Sequence, residues 1–392
     1  MQYFEYYTPT RVVFGKDTES QVGKLVKDQG AKKVLIHYGG GSVIRSGLLF
    51  RVEEALRAEG IDYVLLGGAV PNPRLSKVYE GIDLCKKEGV DFVLAVGGGS
   101  TIDSAKGIAY GIANEGDVWD FYLKKRQPSA CAPLGVVLTM AATGSEMSDS
   151  SVVTNEEGWL KRSAKSNLSR PKFAILNPQL TYTLPEYQTM CGCVDIMMHT
   201  MERYFSHETD TELVDSIAEG LLCTMMNNAK ILLTDPENYD ARSEIMWAGS
   251  LSHNGLTGCG RKGDWACHQL EHELGGLFDV AHGAGLSAVW GAWARYVYKE
   301  DAARFVKFAV NVMGLAENKE NPEETALAGI EAMEDFFRSI KMPVTIGELG
   351  YTLTEEQFKE LAYKCSFMDT RTIGGFKVLD KADMEKIYRL AQ

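Results

Sequence analysis

Between residues 33 and 140 short β-branched or apolar runs alternate with segments of helical pattern, and this alternation confines the chain to very few architectures. The runs are Val34 to His37, Tyr63 to Leu66, Phe92 to Val96 and Val136 to Thr139. Between them, Ser46 to Glu59 and Pro73 to Glu88 carry apolar residues at helical spacing with charges on the opposite face. Parallel strands need long crossovers, usually helices, so the pattern predicts βαβ units in a doubly wound parallel sheet. Ser151 to Thr154 and Leu160 to Ser163 flank Asn155-Glu156-Glu157-Gly158, a hairpin turn whose glycine tolerates positive φ. Phe173 to Leu176 adds one more strand. Past Leu184-Pro185, where proline suits the first turn of a helix, strand signals stop. The expectation is an α/β domain at residues 1–184 followed by an all-α domain at 185–392, with Asn318 to Glu324 a solvated connection.

At 392 residues and 45% hydrophobic content the chain can fill two cores without disulfide staples. A formal net charge of -12 with no basic block excludes nucleic acid as a partner, because phosphate binding needs clustered Lys and Arg. No apolar stretch approaches the ~18 residues of a membrane span, and Met1 to Thr10 lacks a basic segment followed by an apolar run. A cytoplasmic protein with no membrane association and no cleaved signal is expected. The 8 cysteines form no CxxC pair and read as buried reduced thiols. Cys191-x-Cys193, and Cys267 next to His268, leave thiolate coordination as the alternative.

Two loops carry nucleotide chemistry. Asp91 to Val96 runs straight into Gly97-Gly98-Gly99-Ser100-Thr101-Ile102-Asp103-Ser104-Ala105-Lys106. Glycines let the backbone approach a ligand closely, and a helix opening at Ser100 or Thr101 offers free N–H groups to a pyrophosphate. The plain alternative is a tight βα turn with Ser100 and Asp103 as a capping box. Thr139-Met140-Ala141-Ala142-Thr143-Gly144-Ser145-Glu146 follows the Val136 strand and should lie at the same carboxyl edge of the sheet, where open α/β sheets bind ligands.

The helical half holds a metal constellation. Asp195 and His199 stand four residues apart on one helix face, and His268 and His272 repeat that spacing. Gly275-Gly276 is expected to end that helix, and His282-Gly283 opens the next segment. One carboxylate with several imidazoles suits a divalent first-row metal such as Fe2+ or Zn2+ and is too nitrogen-rich for Mg2+ or Ca2+. His37, His207 and His253 read as ordinary structural histidines.

Together these features resemble the iron-containing alcohol dehydrogenase family, in its butanol dehydrogenase-like branch. The resemblance runs over essentially the whole chain. It is carried by Tyr38-Gly39-Gly40-Gly41-Ser42, Pro71-Asn72-Pro73, Gly97-Gly98-Gly99-Ser100 with Asp103 and Lys106, Thr143-Gly144-Ser145-Glu146, Asp195 with His199, and His268, His272 and His282. It implies a dehydroquinate synthase-like fold with an N-terminal dinucleotide-binding domain and a C-terminal helical domain that binds the catalytic metal. The implied activity is NAD(P)H-linked interconversion of small primary alcohols and aldehydes, in a homodimer. By matching position, Asp195, His199, His268 and His282 are the metal ligands and His272 lies beside the nicotinamide. Gly39, Gly40, Ser42, Asn72, Gly97, Gly98, Gly99, Ser100, Asp103, Thr139, Thr143, Ser145 and Lys161 line the cofactor. Cys267 before the third ligand departs from the usual pattern; it leaves the ligand set intact, and the resemblance does not extend to the shape of the pocket or the identity of the substrate.

NADP(H) is expected over NAD(H). NAD-preferring relatives place an aspartate after the first strand, where this chain has Gly39-Gly40-Gly41-Ser42, a nest of backbone N–H groups and a hydroxyl. Two rivals stay open: a polyol dehydrogenase or dehydroquinate synthase-like enzyme on the same scaffold, for which Arg203, Arg261 and Lys262 would serve an anionic substrate, and a catalytically silent nucleotide or metal sensor. His272 is expected to stand apart from the ligands, since a fifth protein ligand would crowd the position that substrate oxygen needs.

Overall fold

The structure, a computed structural model, describes residues 1–392 and divides into Tyr7–Leu184 and a second unit of Pro185–Gln392 with Met1–Tyr6. In the first unit the strands are β1 (Arg11–Phe14), β2 (Lys33–Tyr38), β3 (Asp62–Leu66), β4 (Phe92–Gly97), β5 (Leu134–Leu138), β6 (Ser150–Asn155), β7 (Leu160–Lys165) and β8 (Phe173–Leu176). Six of them form one sheet in the order β1-β8-β5-β4-β2-β3, every pairing parallel, while β6 and β7 make a separate antiparallel hairpin turning through Gly158 at φ 79°. The helices are α1 (Val22–Lys27), α2 (Ser42–Arg45), α3 (Leu48–Ala58), α4 (Leu75–Glu88), α5 (Gly99–Ala113) and α6 (Trp119–Tyr122).

β4 is buried along its whole length, as a strand covered on both faces must be. Val34, Ile36, Leu94, Val96 and Ile175 pack with Val22, Val26, Val52 and Leu56 from α1 and α3. β2 leads outward to β3, whereas β4 leads the other way to β5, so the connections part between β2 and β4. That is the switch point where such sheets open a crevice at their carboxyl ends.

Three details differ from the sequence reading. The edge strand β1 was not anticipated, being four residues long with both ends exposed and no buried residue. Ser46 to Glu59 holds a single helix, α3, entered through Gly47 at φ 70°, but the short α2 that precedes it was not anticipated. Ser100 and Asp103 form no capping box, because α5 starts at Gly99 and has no side-chain cap.

The second unit is helical: α7 (Glu186–Tyr204), α8 (Glu212–Thr234), α9 (Tyr239–His253), α10 (Ala266–Phe278), α11 (His282–Val297), α12 (Ala302–Asn311), α13 (Pro322–Ser339), α14 (Glu355–Cys365) and α15 (Lys381–Leu390). Pro185 is the residue before α7, and Pro322 opens α13 inside what the sequence suggested was loop. Gly275 and Gly276 do not end α10; they are buried inside it, and the helix stops at Asp279 in the left-handed region, φ 54°. α7 is buried continuously from Thr189 to Tyr204 and packs against α8, α9 and α11, which makes it the central helix of the bundle. No helix of the chain is long and apolar enough to cross a membrane.

Candidate metal centre and nucleotide loops

In the α/β unit the two glycine loops end the strands that flank the switch point. Gly39 follows β2, and a Cβ placed on it would lie 3.7 Å from Thr101 Oγ1 in the first turn of α5, so the loops after β2 and β4 are neighbours. The third loop joins them: Gly97 pairs with Leu138, Thr139 N donates to Gly97 O at 3.1 Å, and a Cβ on Gly99 would fall 2.3 Å from Thr143 Cγ2. Only glycine at 99 lets the two loops meet. No side chain caps α5; Thr101 N and Ile102 N donate to Gly98 O at 3.0 and 3.1 Å, which leaves the N–H groups of Gly99 and Ser100 at the start of the helix as the donors an anion site would use.

Asp103 and Lys106 are used differently from the glycines beside them. Asp103 Oδ1 accepts from Ser145 Oγ at 2.6 Å and Oδ2 from Val152 N at 3.0 Å. Fully buried Lys106 donates to the carbonyls of Ser148 and Ser150 at 2.9 and 2.7 Å, and burial lowers its pKa to about 8 against the pull of Asp103. Both residues tie α5 to the segment entering β6. Thr154 of β6 donates to Pro73 O at 2.7 Å and faces Lys161 across the hairpin, so Asn72 and Lys161 are carried by joined segments.

In the helical unit Asp195, His268 and His282 converge: their ligand-type atoms all lie within 4.8 Å of one another. Asp195 Oδ1 stands 3.7 Å from His268 Nε2 and 3.6 Å from His282 Nε2. Asp195 Oδ1 and His268 Nε2 are buried and take no hydrogen bond. Two complementary atoms left unsatisfied at that spacing fit a cation coordinated by both, since a buried polar group is otherwise paired. His199 lies alongside this trio and outside its 4.8 Å grouping; its Nδ1 is 2.9 Å from the Asp195 carbonyl and 3.2 Å from Asp195 Oδ1, and its ring is 4.5 Å from that of His268. His272 belongs to a second grouping with Glu271 and His282, its ring 5.9 Å from that of His282.

The electrostatics favour positive charge. Burial alone would raise the Asp195 carboxyl, but the imidazoles of His199, His282 and His268 hold it well below the usual range. Burial would lower His268, yet Asp195 and Glu202 bring it up to about 9, while burial drives His199 well below its ordinary value. Trp265, its ring 5.4 Å from that of His268, supplies an apolar wall.

Sequence spacing passed over two acids. Glu202 Oε1 accepts from both the backbone N and the Nδ1 of His268, each at 2.8 Å, and Glu271 Oε2 meets His282 Nδ1. Glu202 sits seven residues after Asp195 on α7, two turns along the same face, which is the signal that could have found it. Thiolate coordination has no support in the grouping, which contains no sulfur. All 8 cysteines are free, and burial pushes Cys267 well above its usual range and Cys193 to about 12. Of the three basic residues weighed for an anionic substrate, two are engaged within the fold, Arg203 donating to the carbonyls of His199 and Ser252 and Arg261 pairing with Asp215 at 2.7 Å, while Lys262 is exposed.

A doubly wound sheet with glycine loops at its switch point and a helical unit carrying an Asp-His centre define a metal-dependent, nucleotide-linked enzyme class. The chain belongs to the iron-containing alcohol dehydrogenase family: the pattern for "Iron-containing alcohol dehydrogenase" matches residues 9–178, and "Fe-containing alcohol dehydrogenase family, C-terminal" matches 189–392. It is 41% identical over 389 residues, 99% of each chain, to the probable NADH-dependent butanol dehydrogenase 1 of Bacillus subtilis. It is 34% identical to the NADPH-dependent aldehyde reductase YqhD of Escherichia coli, over 89% of this chain and 90% of that one. The crystal structure of NADH-dependent butanol dehydrogenase A from Thermotoga maritima superposes with a TM-score of 0.96 at 38% identity, covering 100% of this chain and 99% of that one. The protein is thus an alcohol dehydrogenase and aldehyde reductase that works with a nicotinamide cofactor.

Proposed function

We propose that this enzyme interconverts small primary alcohols and aldehydes of about butanol size, with NADP(H) preferred over NAD(H) and with Fe2+ or Zn2+ held by Asp195, His199, His268 and His282. The observation that carries the metal reading is the pair of buried atoms without hydrogen bonds, Asp195 Oδ1 and His268 Nε2, facing each other 3.7 Å apart. When bound, such a metal supplies Lewis acidity toward the substrate oxygen. The protein's own residues do the rest. Asp195 and the imidazoles hold the site's charge, Trp265 keeps water from one side, and His272 is the group to hold or pass a proton at the substrate oxygen. The uncapped start of α5 receives the pyrophosphate, with Asp103 and Lys106 bracing the loop that bears Thr143 and Ser145. The 8 free cysteines agree with a reducing compartment, which supports the cytoplasm as its place.

Cofactor preference is where the relatives divide, since the Bacillus and Thermotoga proteins are named for NADH and the Escherichia protein for NADPH. The preference for NADP(H) rests on an exposed loop of Gly40, Gly41 and Ser42 with no acid in it. Arg45 supports it: its Nη1 lies 2.6 Å from where a Cβ on Gly41 would stand, a guanidinium beside the nest. Gly39 has room for a side chain, its nearest neighbour Ala69 O being 3.5 Å from a Cβ. With butanal, kcat/KM should be higher for NADPH than for NADH by roughly tenfold, about 1.5 kcal/mol for one charge-assisted bond. Gly39→Asp should reverse the order. Parent enzyme that uses NADH as well as NADPH overturns the preference.

A further inference from the structure

We propose that Glu202 and Glu271 are positioning residues that decide which ring nitrogen His268 and His282 offer to the metal, each carboxylate reaching from one helix to the histidine of the next. The proposal rests on the metal reading above and extends it to acids that no spacing rule identified.

Glu202 lies on α7, the helix of Asp195, and grips His268 on α10. Glu271 lies on α10 and grips His282 at the first position of α11. The three helices that must bring ligands together are therefore linked in series by two carboxylate–imidazole contacts. Both contacts are made to Nδ1. A carboxylate only accepts, so Nδ1 carries the proton and Nε2 keeps its lone pair. In each ring Nε2 is the atom turned toward Asp195 Oδ1. His268 Nε2 has no hydrogen-bond partner in the protein, which leaves that atom open to a cation.

Neither acid is merely filling space. Trp265, just before α10, lies in the left-handed region at φ 68° and its side chain caps nothing, while Asp264 Oδ2 takes the first N–H of the helix at 3.0 Å. Glu202 Oε1 takes the third N–H of that helix and the imidazole N–H together, so one oxygen fixes both the backbone and the ring of His268. Glu271 is fully buried, and α11 makes room for it with Gly285, where a Cβ would come 2.8 Å from Glu271 Cγ. Carboxylates behind liganding histidines orient the ring and raise its basicity, and their loss typically costs ~10- to 100-fold in metal affinity.

The test uses full-length protein stripped of metal and titrated with Co2+, which reports its ligand geometry in visible absorption, and with Zn2+ against a competing chelator. Glu202→Gln and Glu271→Gln keep size and acceptor atoms but lose charge. Each should bind Zn2+ at least ~10-fold more weakly than the parent and shift the Co2+ spectrum. A folding defect in either variant is bypassed by the parent itself: in the Zn2+-loaded protein labelled with 15N-histidine, His268 and His282 should carry the proton on Nδ1. Parent-like affinity and spectra in both variants, or protons on Nε2, overturn the proposal. His268→Ala separates the two readings, because loss of metal there with parent-like Gln variants sinks only the positioning role, whereas retention of metal in His268→Ala sinks the metal site itself.

Discussion

Two buried imidazoles, His37 and His268, are pushed in opposite directions, and the partners explain why. His37 on β2 meets the Leu66 carbonyl and the Ser104 hydroxyl, with no carboxylate in contact, and burial lowers its pKa from 6.5 to about 4. His268 lies between two carboxylates and is raised. Because the folded pKa of His37 is depressed, protons bind the unfolded chain better. Its contribution is complete above about pH 6.5 and is lost as pH falls through about 4. At ~1.4 kcal/mol per pH unit it is worth up to about 3 kcal/mol. His37→Gln should therefore flatten the fall of unfolding free energy between about pH 7 and 4.5, read by urea denaturation; parallel curves for parent and variant would count against this role. His272 offers a second test at this scale. His272→Ala should keep near-parental metal content while kcat falls or changes its pH dependence, and His268→Ala should lose metal; the opposite pattern means their roles are exchanged. Asp195 and His268 were legible because each stands four residues before a histidine on one helix, and His282 because histidine is rare, 7 in the whole chain. Glu202 and Glu271 were not, because 53 acidic residues give no reason to single out two until the histidines are seen against them.

At the scale of elements, backbone approach decides where ligands fall. Gly283, next to His282, brings α11 against α7 so closely that a Cβ there would lie 2.0 Å from the Cys191 carbonyl oxygen. Backbone cannot yield as a side-chain tip can. Gly283→Ala should separate the helices, lowering stability by roughly 1–3 kcal/mol and weakening metal binding with it. Thermal melts of the metal-free protein and a Zn2+ titration check the two effects, and a variant unchanged in both would show that the approach is not needed. Strands and most helices were readable because burial on both faces demands long apolar runs, as in β4. β1 was hidden since a four-residue edge strand needs only a short run, and the end of α10 was misplaced since Gly275 and Gly276 serve packing inside the helix while Asp279 takes the left-handed turn.

Across the whole molecule, the change of pattern at Leu184-Pro185 coincides with the division between units, but the first six residues belong with the helical unit. There Gln2 N donates to Gly260 O at 2.8 Å and the terminal amine pairs with Asp210. Local patterning says nothing about so distant a partner. On the proposed function each unit carries one half of a dehydrogenase, the glycine loops serving the dinucleotide and the Asp-His grouping the cation. Hydride transfer from a nicotinamide needs both, so activity should depend on the metal centre as a unit. The direct measurement is a titration of chelator-stripped enzyme with Fe2+ or Zn2+, following butanal-dependent NADPH oxidation alongside bound metal. Activity should be near zero at the start, rise in proportion to occupancy and level off at one metal per chain, with no recovery in Asp195→Ala. Full activity in demonstrably metal-free protein would contradict the account.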